Sequence, residues 1–198
     1  MQKIKLFSQY NLDALFLKTQ KEIDDQISQW PDHYFYSGQI QLHVETLRTS
    51  LRVDLPEIDF KNGRQVMLER ILPASVFQPG LRNNANVRVD VLIFEYQAIG
   101  HIYLLGCCPP LTVPEPPGDW YADPVHQQII IEYAEYEKHP RKTLIAHQYY
   151  TASLQLCYES LKDEFAVFYK KLNDAIDAAI TERKSEIDDM KRMLDFLK

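Results

Sequence analysis

Glycine is scarce in this chain and unevenly placed. Of 198 residues only six are glycine, and all six, like all eleven prolines, lie between residues 31 and 140. Residues 1–30 and 141–198 contain neither type. Glycine and proline are the strongest local breaks in regular structure, so the two ends read as uninterrupted helix and the middle as turn-rich. So few glycines leave little material for phosphate-cradling loops. The chain has no Walker-type loop, no G-x-G-x-x-G, no H-E-x-x-H and no G-x-S-x-G. Those absences remove the common nucleotide-binding, zinc-protease and serine-hydrolase signatures.

Cysteine is also sparse. Cys107, Cys108 and Cys157 are an odd set with two members adjacent, which is not a disulfide framework and points to a reducing cytoplasm. Cys157 sits at helical spacing among Leu154, Tyr158 and Leu161 and reads as a small core residue. No stretch approaches the roughly 18 apolar residues of a membrane span, so no membrane partner is expected. The first ten residues, MQKIKLFSQY, are followed by no apolar run of the secretory type. Positive charge is short as well: 22 Lys and Arg stand against 28 Asp and Glu, a net charge of −6. A broad grip on nucleic acid needs a basic face, so nucleic acid is not an expected partner.

What is present suffices for a core. Hydrophobic residues make up 45% of the chain and aromatics 12%, a globular composition for one domain with a helical arm. Leu12, Leu15, Phe16, Ile23, Ile27 and Trp30 form one apolar stripe, which predicts a helix over 11–30. Asn11 is its N-cap, and Pro31 stops it.

Strands are expected over 33–136. In 39–45, Ile40, Leu42 and Val44 alternate with polar residues, as do Leu51, Val53 and Leu55 farther on. Asn62-Gly63 between apolar runs signals a hairpin. Residues 64–72 read as strand, with a short helix as the competing reading. The strongest strand is 86–96, half-buried at first and apolar on both faces at Leu92, Ile93 and Phe94, as a central strand is. A turn at 97–100 leads to a partner strand at 101–105, and 127–136 is a further strand. Leu51-Arg52-Val53-Asp54 echoes Val87-Arg88-Val89-Asp90, which would match opposite charges if the two paired. Loops fill 73–86 and 108–123.

From Thr143 the chain reads as helix to its end. Leu154, Tyr158, Leu161, Phe165, Phe168, Leu172 and Ile176 are spaced by three or four, and the seam resumes at Ile187, Met190, Leu194 and Leu197. At 1.5 Å per residue such a helix is roughly 80 Å long. A domain of this size is about 35 Å across. Either the helix breaks, or part of its seam needs another surface.

Candidate chemistry is thin. Asp59 and Lys61 have a D-x-K spacing, with Glu45 upstream. Two carboxylates holding Mg²⁺ beside a lysine would suit phosphodiester cleavage, and the pattern distantly looks like the core of restriction-type nucleases. Surface charges at a hairpin end are the simpler reading. His101, Cys107, Cys108 and His126 are ligand types without zinc-site spacing, so no metal is assigned. Lys138, Arg141 and Lys142 precede or open a helix and are candidates for binding an anion. The run 109–117, PPLTVPEPP, suits a rigid extended connector. Tyr96, His101 and Tyr103 could line a small-ligand pocket.

The expected architecture is α+β: an antiparallel meander flanked by an N-terminal helix and a long amphipathic C-terminal helix. Its domains would be a core over 1–142 and a helical segment over 143–198. The expected function is a non-enzymatic assembly or adaptor subunit without a cofactor. Its interface would be Leu154, Leu161, Phe165, Phe168, Leu172, Ile176, Ile187, Met190, Leu194 and Leu197, used for self-association or for docking a protein partner. A Mg²⁺-dependent nuclease and a small-ligand sensor are the alternatives.

Overall fold

A computed structural model of the chain describes residues 3–74, 86–111, 119–134 and 139–197. The architecture is α+β, with an antiparallel six-stranded sheet, an N-terminal helix and a long C-terminal helix. The strands are β1 (Ile4–Lys5), β2 (Glu57–Ile58), β3 (Arg64–Pro73), β4 (Asn86–Ile99), β5 (Asp119–Asp123) and β6 (Gln128–Ala134). The helices are α1 (Leu12–Ser28), α2 (Ile40–Leu51) and α3 (Pro140–Phe196). Two compact units share the chain: Met1–Gln9 with Asp54–Leu161, and Tyr10–Val53 with Lys162–Lys198. The first part of α3 falls in the sheet unit and the rest in the helical unit.

In the sheet unit the order is β1-β5-β6-β4-β2, with β3 also paired to β4. β4 is the central strand that its two-sided apolar run predicted. It holds β3 on one side and β6 on the other, and Val91, Ile93 and Phe94 are all buried. One face of the sheet presents Phe94, Tyr96 and Ala98 of β4 with Ile129, Ile131 and Tyr133 of β6, which form the core together with Leu154 of α3. The opposite face carries a polar crossing. The Arg70 guanidinium donates to both Glu132 oxygens, at 2.5 and 3.0 Å, and the Tyr121 hydroxyl donates to the same carboxylate at 2.6 Å. Burial and the neighbouring Glu132 together push the Tyr121 hydroxyl well above its ordinary range.

Asn62-Gly63 does not turn a hairpin. β2 and β3 both pair with β4, in registers that differ by three residues, because residues 59–63 stand opposite only Tyr96 and Gln97. The Asp59 N–H still bonds Gln97 O at 3.0 Å before the chain bulges out. Asp59 then closes the bulge: its carboxylate accepts from the N–H groups of Lys61 and Asn62 and from the Asn62 amide. Gly63 is required because the Tyr96 ring lies on it. A Cβ there would fall 2.5 Å from a ring carbon. Gly100 is the second constrained glycine, with φ +125° beside Pro56.

In the helical unit, α1 matches its prediction. Asn11 caps it by accepting the Asp13 N–H at 2.7 Å, and Ile23 and Ile27 are buried. Residues 40–45, expected together with Gln39 as a strand, belong to α2, and Gln39 is its N-cap. Val44, Leu47 and Leu51 are its buried positions and Leu42 is exposed, so the relevant period is 4-3-4 from Ile40 rather than two. Residues 51–55 form no strand either, so the proposed pairing with 87–91 falls. Arg88 meets Glu69 of β3 instead, at 3.2 Å. Residues 102–106 form a 3₁₀ turn, not a partner strand, and 119–123, expected as loop, are β5. A second 3₁₀ turn covers Asp32–Tyr36.

Candidate interaction site

α3 runs unbroken from Pro140 to Phe196. Its side chains are consumed in three successive ways. The first part packs on the sheet through a buried histidine. His147 is 6% exposed and stacks on Phe94, with ring centroids 3.5 Å apart. Its Nε2 lies 2.7 Å from the Tyr96 hydroxyl, and its Nδ1 lies 3.1 Å from the Tyr133 hydroxyl. Desolvation lowers the His147 pKa to about 4, so the imidazole is neutral near pH 7. A neutral ring has one donor and one acceptor, and two hydroxyls satisfy both. Burial is likewise the main cause of the raised pKa of Tyr96 and Tyr133. Every polar atom of this node faces another, so it works as a lock between α3, β4 and β6.

The second part of α3 belongs to the helical unit. Phe165, Phe168, Leu172 and Ile176 are buried, as Leu154 and Leu161 are before them. Phe168 meets Phe16 of α1 edge-on at 6.0 Å. Tyr169 donates its hydroxyl to the Val53 carbonyl. Two arginines fix the helices: Arg48 bonds Glu45 and Asp177, each at 2.7 Å, and Arg183 bonds Asp32 at 3.3 Å and Glu186 at 3.0 Å. Tyr36 hydrogen-bonds Asp188, and Lys191 lies over its ring at 3.5 Å. Ile187, beside this contact, is 3% exposed.

The third part begins there. Residues 189–197 are all exposed. Met190, Leu194 and Leu197 are 54%, 56% and 83% exposed, and Met193 is open as well. At about 100° per residue, positions i, i+3, i+4 and i+7 fall on one face, so these four side chains make a single apolar stripe. The ten expected interface residues thus divide. Leu154, Leu161, Phe165, Phe168, Leu172, Ile176 and Ile187 are buried in their own chain, whereas Met190, Leu194 and Leu197 remain open.

The other expected sites are dispersed or locally committed. Glu45 lies on α2 in the helical unit and pairs with Arg48, whereas Asp59 and Lys61 lie in the sheet unit. Its hydrogen bonds, with the Asn62 amide foremost, hold the Asp59 carboxyl below its usual range. His126 is oriented through Nδ1 by Asp123 Oδ2 at 2.8 Å, a pairing that the four residues between β5 and β6 impose. Cys107 and Cys157 are buried and Cys108 is exposed. Burial raises the Cys107 thiol to about 11, so it is a poor nucleophile. Among the described residues, no group of three or more His, Cys, Asp or Glu is placed to hold a metal ion. Arg141 and Lys142 stand exposed in the first turn of α3; Lys138 and most of the run 109–117 lie outside the described residues. Tyr96 faces the core and His147, His101 precedes the 3₁₀ turn, and Tyr103 is exposed. No described helix is long and apolar enough to cross a membrane.

No expectation from the sequence covers the His147 node. Its signal was a lone histidine on the apolar side of a helix, opposite two strands bearing inward tyrosines. Comparison with protein-family models, with curated proteins and with solved structures found no match.

Proposed function

We propose that this chain is an assembly module that docks onto another protein through the distal end of α3. One observation carries the reading. The apolar seam of α3 is covered within the chain as far as Ile187, and then continues as an open stripe of Met190, Met193, Leu194 and Leu197. A helix is held chiefly by packing of its apolar face, and an exposed end of two turns gains little from propensity alone. Anchors at i, i+3, i+4 and i+7 are the pattern by which a helix enters an apolar groove. Two methionines among the four let the stripe adapt to the surface it meets.

The test is the size of the complex formed by the chain in extract of its own cells. Wild type is expected to elute well above a dimer of the chain. Met190→Glu with Leu194→Glu is expected to elute as the free chain, with the melting temperature unchanged. Equal elution of the two forms would refute the proposal.

A further inference from the structure

The chain has four methionines, Met1, Met67, Met190 and Met193. Residues 140–189 of α3 contain none, so the methionines of this helix begin where the cover over its seam ends. Met190 is 54% exposed and Met193 66%. They stand three residues apart, which makes them neighbours on the helix surface. Half of the four-residue stripe thus consists of exposed thioether side chains. A methionine differs from a leucine there in one chemical respect. Its sulfur can be oxidised to a sulfoxide, and reductases can reverse the change.

We propose that Met190 and Met193 are a reversible oxidation site, and that their sulfoxides release the chain from the protein it docks onto. This rests on the docking role of α3 and adds its regulation. The oxidant is a hydroperoxide, of which hydrogen peroxide is the simplest. A sulfur lone pair attacks one peroxide oxygen, so that an S–O bond forms and the O–O bond breaks. The proton on the transferred oxygen passes to the departing one, which leaves as water. The thioether loses two electrons and the peroxide gains them. A thioether is a weak hydrogen-bond acceptor, whereas the sulfoxide is polar and disrupts methionine-rich interfaces. An acceptor carried into an apolar groove without a donor costs free energy. Two of them, on neighbouring positions of a stripe of four, impose that cost twice. Docking covers both sulfurs, so oxidation marks the chains that are not docked. The site also separates release from unfolding. The last buried residue of the seam is Ile187, and residues 189–197 are all exposed, so the sulfoxides leave the packing of the chain intact.

The test uses the full chain carrying Met67→Leu and Cys108→Ser, which removes two other exposed sulfurs. The chain is treated with hydrogen peroxide, and the peroxide is then removed. Peptide mass spectrometry is expected to find one added oxygen on each of Met190 and Met193, and the melting temperature is expected to match that of the untreated chain. Both forms are then added to extract of the protein's own cells, freed of the endogenous chain and of small molecules. The untreated form is expected to elute in the large complex and the treated form as the free chain. Treatment with two methionine sulfoxide reductases, one for each sulfoxide epimer, is expected to return it to the complex. A chain that carries both sulfoxides and stays in the complex would overturn the inference and leave the docking role standing. Release that the reductases do not reverse, or release with a lowered melting temperature, would overturn it as well. An untreated chain that elutes free would instead refute the docking role, and the inference with it.

Discussion

The Tyr96 hydroxyl sits 2.7 Å from Nε2 of His147, joining the central strand of the sheet to the first part of α3 inside the core. The histidine is neutral there because burial disfavours its charged form, with a pKa lowered to about 4. The sign for stability follows. In the unfolded chain the group titrates at its ordinary value of 6.5, so between pH 6.5 and about 4 the unfolded state holds more protons than the folded state. Stability is complete above pH 6.5 and falls as the pH drops through that window. The loss reaches about 3 kcal/mol below pH 4, at 1.36 kcal/mol per unit. Urea unfolding at pH 7.5 and pH 4.5 measures it, and His147→Gln is expected to flatten the slope in this window. Asp123, whose pKa is lowered, adds its own loss at more acid pH, below 3.8.

Gly63→Ala is expected to destabilise the sheet unit by roughly 1–3 kcal/mol, as an overpacked core position does. The added methyl group would collide with the Tyr96 ring, which is buried and held at its far end by His147. Thermal melts give the loss. A cost near zero would mean that the ring yields freely.

Arg70→Ala leaves Glu132, a buried carboxylate, without its bidentate partner. The Arg70 side chain is 35% exposed, so solvent softens the loss to about 1–3 kcal/mol, below that of a fully buried broken pair. Arg70→Met with Glu132→Gln, which removes both charges and keeps an acceptor for the Tyr121 hydroxyl, is expected to recover most of it. Recovery is what separates an unpaired charge from lost packing.

Ending the chain after Asp188 removes side chains that, among the described residues, are all exposed. Its melting temperature is expected to stay within about 2 °C, since surface changes cost under roughly 0.5 kcal/mol. Ending it before Ile187 removes a buried anchor and is expected to lower the melt measurably.

Much of the fold was legible in sequence because the signals were local. The proline and glycine window, the Asn11 cap and the two-sided apolar run of β4 each follow from a few neighbouring residues. The errors arose where two periods overlap. Ile40, Leu42 and Val44 alternate, yet Ile40, Val44, Leu47 and Leu51 also lie on one helical face, and tertiary packing chose the second pattern. Asn62-Gly63 carries a strong turn signature, but Gly63 is needed for the close approach of Tyr96, a residue distant in sequence. The seam of α3 was readable as apolar. How much of it the chain itself would cover was not, because that depends on α1 and α2 packing against the same helix. The His147 node draws on two strands and a helix, and no local pattern announces it.

The most direct measurement of the docking role is site-specific photo-cross-linking along the last turns of α3, in the cells that make the protein. A photoreactive side chain at Leu194 lies on the stripe, and one at Arg192 points away from it. The account predicts a discrete adduct from position 194 and none from 192, lost again when Met190 is replaced by glutamate. Equal labelling at the two positions, or none at either, would contradict it.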